Sequence, residues 1–212
     1  ANEAVAQTLA AQSQQLLHTS NLYRIPHQEK LAEKLASLSG MDNMFFGNSG
    51  AEANECAIKI ARLYGHKKGI EQPCIIVADA AFHGRTMATL TATGNRKVQA
   101  GFEPLVGGFV RVPYNDLASI EQIAEQMQNV VAVLIEPIQG EAGIQIPDEE
   151  YLIGIRNICN AQGWLMIIDE VQSGNCRTGA YFCYQHSGIT PDLVATAKGL
   201  GNGVPIGVCL AS

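Results

Sequence analysis

The chain has 212 residues, 47% hydrophobic and 16% charged, the balance of a globular chain with a sizeable core and not of a disordered one. A net charge of −6 without a long basic run argues against a nucleic-acid partner, and no apolar stretch approaches the roughly 20 residues a membrane helix needs. The opening Ala-Asn-Glu-Ala carries no signal-peptide pattern. Six cysteines without a C-x-x-C and five histidines without paired ligand spacing predict reduced thiols, no metal site and a cytoplasmic setting.

In chain order, Val5, Leu9, Leu16 and Leu17 are spaced for one face of a helix reaching about Leu17. A loop through Pro26 leads to a short amphipathic helix around Leu31, Leu35 and Leu38, closed by Gly40. Strands and helices then alternate. Strands are predicted over 44–46, 74–78, 110–112, 130–135, 164–168, 193–197 and 206–210, and helices over 51–64, 117–127 and 149–161. Near-continuous apolar runs such as Val130–Ile135 imply a sheet covered on both faces, and the alternation makes it mostly parallel, an α/β fold. Residues 1–40 read as an N-terminal helical segment leading into a large domain over 41–212.

Ligands of such sheets bind outside the carboxyl ends of the strands, and four segments there carry chemistry. Ser49, Gly50 and Ala51 follow the first strand and open a helix: free backbone N–H groups and a hydroxyl suit a phosphate, while a plain Ser cap with Glu52 as first-turn acid explains the same residues. Asp169 follows a buried apolar strand and is either a turn cap or a carboxylate for a cation, and Glu136 repeats the pattern. Lys198 closes an apolar strand, either reaching out to solvent or buried as an amine nucleophile. Phe82 and Arg85, flanking His83 and Gly84, are either an aromatic stacker and carboxylate clamp or a core Phe and a surface Arg.

The segments F-F-G-N-S-G-A-E-A-N-E, F-H-G-R-T, I-E-P-I-Q-G-E-A-G, I-I-D-E-V-Q-S-G and A-K-G-L-G-N-G-V-P-I-G, in this order, resemble the class III (ornithine-type) aminotransferases dependent on pyridoxal phosphate (PLP). The resemblance implies the large domain of a fold-type-I PLP transferase, a mostly parallel mixed sheet with helices on both faces. It implies that Lys198 binds the cofactor aldehyde and later moves the substrate's α-proton, and that Asp169 pairs with the pyridine nitrogen. Gln172 is implied at the phenolic oxygen, Phe82 and Val171 on the two ring faces, and Ser49, Gly50 and Ala51 at the phosphate. Arg85 is implied to bind a substrate carboxylate, and Glu141 to be the gating acid that moves aside for a dicarboxylate. The implied substrates are amino acids and 2-oxo acids. Ser20–Tyr23 and Pro113–Asp116 are most similar to acetylornithine-type members, which act in arginine synthesis and in some cases on N-succinyl-diaminopimelate. Ornithine, succinylornithine and 4-aminobutyrate types share the core motifs. The resemblance also implies a homodimer, and that this chain lacks the N-terminal arm and the C-terminal small domain.

Two readings of other classes stay open. A Rossmann-type nucleotide module is disfavoured because no G-x-G-x-x-G opens a helix, and a large-domain fragment without activity is the second. Asn175 and Cys176 lie in a predicted loop and carry no assigned role.

Overall fold

The structure, a computed structural model, describes residues 2–212 and divides after Met41 into two compact units. The first unit holds two helices. α1, Glu3–Ser13, starts where the Asn2 side chain accepts the Val5 N–H at 3.2 Å. It ends at Ser13 and not at about Leu17, and it has no buried residue: Leu9, Leu16 and Leu17 are all exposed. The expected apolar face is therefore not a core face, and the Gln- and Ser-rich turn after Ala11 does not sustain the helix. α2, Pro26–Ser39, has Pro in its first turn and ends on Gly40, whose φ of 74° is the left-handed closing conformation.

The second unit is built on seven strands: β1 Asn43–Gly47, β2 Cys74–Ala78, β3 Phe109–Val112, β4 Val130–Ile135, β5 Leu165–Asp169, β6 Leu193–Thr196 and β7 Gly207–Ala211. Their order across the sheet is β1-β7-β6-β5-β4-β2-β3. β2 to β6 pair in parallel, and β7 runs antiparallel between β6 and β1. This is the mostly parallel mixed sheet that the apolar strands imply, with β2 and β4 buried along their whole length.

The helices of this unit are α3 Gly50–Lys67, α4 Met87–Ala92, α5 Arg96–Gln99, α6 Leu117–Gln126 and α7 Glu150–Gln162. α3 lays Ala53, Ala57, Ile58 and Ala61 on one sheet face, against Val77, Leu134, Ile167, Ala195 and Cys209. Small residues at this four-residue spacing let the helix lie close to the strands, so its N-terminus is fixed relative to their ends. α7 packs on β4 and β5 through Tyr151, Leu152, Ile155 and Cys159, none of which joins the α3 cluster, and so covers the other face. α4 and α5 were not foreseen. Among the described residues no helix is long and apolar enough to cross a membrane.

Candidate active site

Because β1 and β2 to β6 point the same way, their C-terminal ends collect along one edge of the sheet. A cavity of about 500 Å³ opens there. It is lined by Ser49, Gly50, Ala51, Phe82, Arg85, Glu141, Asp169, Val171, Gln172 and Lys198, so the residues to which the resemblance gives a cofactor or substrate role reach one space. The volume suits a small molecule or cofactor.

At the head of α3, Ser49 Oγ accepts the Glu52 N–H at 3.2 Å, and the Asn48 N–H donates to Glu52 Oε2 at 2.6 Å. The capping reading is thus correct for Ser49 and Glu52, and the Asn48 N–H, ahead of the hydroxyl contacts, holds the Glu52 carboxyl below its ordinary range. The same geometry leaves the N–H groups of Gly50 and Ala51 without an acceptor among the described residues. Two such donors at a helix N-terminus are an anion site. The cradle depends on close approach. A Cβ on Gly50 would stand 2.7 Å from the Val171 methyls, and one on Gly207 would stand 2.0 Å from the Ser49 carbonyl oxygen.

Asp169 ends β5 and is 3% exposed. Its Oδ2 accepts from Asn54 Nδ2 at 2.7 Å and meets His83 Nδ1 at 2.8 Å; its Oδ1 accepts the Val171 N–H at 3.0 Å. A buried carboxylate needs such donors. His83 Nε2 and Asn54 Oδ1 are buried without a partner among the described residues. Glu136, at the end of β4, accepts the Phe82 N–H at 3.0 Å. Burial pushes its carboxyl up to about 7, with the nearby Asp169 adding to the shift and His83 opposing it. Glu170, fully buried, is taken by Ser173 Oγ at 2.6 Å and the Tyr184 N–H at 2.9 Å; burial raises it, and its role is structural.

Of the two readings open for Lys198, the structure shows the solvent-reaching one. β6 ends at Thr196, and Lys198 opens a 3₁₀ turn, Lys198–Gly201, with φ of 46°. The turn carries its side chain off the sheet, so the residue is exposed on the cavity wall and not buried. Asn175, which the sequence left without a role, props this turn. Its Nδ2 donates at 3.0 Å both to Thr196 Oγ1 and to the Ala197 carbonyl. Gln172 fits against Gly140, where a Cβ would stand 1.3 Å from Gln172 Oε1. Phe82 is half-buried, while Arg85 and Glu141 are exposed at the rim. Asn54 and His83 were not recognised as partners of the acid. The available signal was an Asn among the alanines of the inward face of α3.

The family profile described as aminotransferase class-III matches residues 1–212. The chain belongs to the class-III aminotransferases. It is 59% identical to the acetylornithine aminotransferase of Nitrosomonas europaea over 98% of this chain and 53% of that protein, and 52% identical to acetylornithine aminotransferase 1 of Bordetella pertussis over 96% and 52%. Among solved structures, N-acetylornithine aminotransferase from Stenotrophomonas maltophilia K279a superposes with a TM-score of 0.85 at 34% identity, covering 100% of this chain and 52% of that one. Ornithine aminotransferase from Toxoplasma gondii ME49 does so with a TM-score of 0.94 at 30% identity, covering 99% and 51%. The chain spans about half the length of the curated relatives it matches. Class-III aminotransferases are PLP-dependent enzymes. The residues of this cavity fit that group: free amides for a phosphate, a buried carboxylate held by three donors, an aromatic wall and an accessible amine.

Proposed function

We propose that the protein carrying this chain is a PLP-dependent aminotransferase that moves the amino group of N-acetylornithine to 2-oxoglutarate, in arginine synthesis. The observation that carries the reading is the convergence of Lys198, the His83- and Asn54-held Asp169 and the open amides of Gly50 and Ala51 on one cavity. The choice of donor rests on the relatives, acetylornithine aminotransferases at 59% and 52% identity. Bound PLP supplies an electron sink for the carbanion left when the substrate's Cα–H bond breaks.

The residues have separable tasks. Lys198 Nζ would hold the cofactor at its aldehyde carbon and would take up the substrate's Cα proton. Asp169, held by Asn54, His83 and the Val171 N–H, would face the ring nitrogen of the cofactor. Ser49 with the amides of Gly50 and Ala51 binds the phosphate. Phe82 and Val171 would pack on the cofactor ring, Gln172 would hydrogen-bond its phenolic oxygen, and Arg85 would clamp a substrate carboxylate bidentately. Glu141, across the same rim, is the acid that yields to a dicarboxylate. The six free thiols favour a reducing cytoplasm, and exposed Phe102, Ile144, Ile146 and Val204 are suited to burial between two subunits of a homodimer.

The test is steady-state transfer to 2-oxoglutarate from N-acetylornithine, ornithine, N-succinylornithine and 4-aminobutyrate, with borohydride trapping of PLP as a check on the site. The expected result is the highest kcat/KM with N-acetylornithine, and a reduced pyridoxyl label on Lys198 that Lys198→Ala abolishes. A preference of about tenfold or more for another donor would overturn the substrate, and label scattered over surface lysines would overturn the site.

A further inference from the structure

Cys56 and Cys209 meet where α3 packs on β7, and neither lines the active-site cavity. Strand alternation turns Cys209 toward α3: with its cross-strand partner Ala195 it belongs to the cluster that α3 covers. On the helix, Cys56, Ile60 and Tyr64 form the ridge beside Ala53, Ala57 and Ala61 and pack on that same cluster. Cys56 thus packs against the cluster that holds Cys209, and the two thiols interact across this contact. They differ in access, since Cys209 is 2% exposed while Cys56 is only half-buried. They also differ in acidity. The neighbouring Cys209 thiol, helped by the Lys59 ammonium one helical turn on, lowers Cys56 to about 7, and the same interaction with burial raises Cys209. A reachable thiol that ionises readily, above a neighbour that does not, is the division of labour between an attacking and a resolving cysteine.

We propose that Cys56 and Cys209 are a modification site at which a low-molecular-weight disulfide is reduced and an intrachain disulfide joins α3 to β7. The thiolate of Cys56 attacks one sulfur of the small disulfide. A Cys56 mixed disulfide forms, the original S–S bond breaks, and one small thiolate leaves and takes up a proton. Cys209 then loses its proton and attacks the Cys56 sulfur, and the second small thiolate leaves and is protonated. Two cysteine thiols and one disulfide give one protein disulfide and two small thiols, so electrons and protons balance.

The test treats the purified, PLP-loaded protein with oxidised glutathione at neutral pH, blocks remaining thiols and maps the peptides without reductant. Exposure alone would select Cys176, the exposed thiol of the set, which makes it the internal control. The expected result is a Cys56–Cys209 linked peptide with loss of about 2 Da per chain. In Cys209→Ala, which leaves no unpaired buried hydroxyl, the reaction stops with glutathione on Cys56; in Cys56→Ser, Cys209 stays unmodified. Glutathione on Cys176 alone, an adduct at Cys56 that persists in the unsubstituted protein, or a Cys209→Ala variant without adduct at Cys56 would each overturn the proposal. The wild-type map reads out independently of how well either variant folds.

Discussion

Asp169 shows how many partners one buried carboxyl group draws. Its Oδ2 draws both His83 and Asn54, side chains that sit 86 and 115 positions away in the sequence. His83→Ala removes the buried hydrogen bond to Asp169 and leaves a buried hole. The expected loss is about 2–4 kcal/mol of stability in urea unfolding, with a weaker PLP dissociation constant measured by fluorescence. Glu136 makes the opposite case. Its folded carboxyl titrates near 7, above its ordinary 4.5, so the fold holds this proton more tightly than the unfolded chain does. That contribution is complete below about pH 4.5 and is lost as pH rises through about 7, on the order of 3 kcal/mol at most. Glu136→Gln keeps an oxygen for the Phe82 N–H and removes the titration. Unfolding at pH 5 should hardly change, whereas at pH 8 the variant should be the more stable; equal stability at both values would show that burial does not govern this carboxyl.

The elements are placed by contacts that tolerate no extra atom. β7 and the head of α3 touch where Gly207 faces the Ser49 carbonyl. Gly207→Ala puts a methyl on backbone, so β7 or the cradle has to shift. The expected effect is a loss of about 1–3 kcal/mol in stability together with reduced PLP affinity, read by thermal melts with and without PLP, which should then differ less than in the wild type. The long elements were legible in the sequence for clear reasons. α3 has a serine cap and a four-residue period, and β4 is an unbroken apolar run. α4 and α5 were not legible, because Met87–Gln99 carries neither period nor length. Those turns stand on tertiary bonds: Arg111 donates to the carbonyls of Ala78, Thr91, Ala92 and Thr93, and Gln99 to those of Leu90 and Thr93. Lys198 and Asp169 were visible as polar residues after apolar runs, but Asn54, His83 and Asn175 act across distances that no local pattern encodes. The helix read to Leu17 stopped at Ser13 because apolar spacing alone does not hold a helix in a Gln- and Ser-rich stretch.

Across the whole second unit, the first and last strands are neighbours, with Asn43 opposite Ala211. β7 alone runs against the others and seals β6 to β1. A chain ending after Asn202 would leave β6 with a bare edge and β1 with no partner in the sheet. Such a truncation should elute as aggregate in size-exclusion chromatography, where the intact chain elutes as a discrete species. The walls of the cavity come from positions between Asn48 and Ile206 and depend on that seal. During synthesis the ribosome therefore releases the N-terminal end of α3 long before Lys198 and β7 emerge. A chain caught midway lacks Lys198 and the closing strand, so under the proposed function capture of the cofactor waits until β7 has joined the sheet.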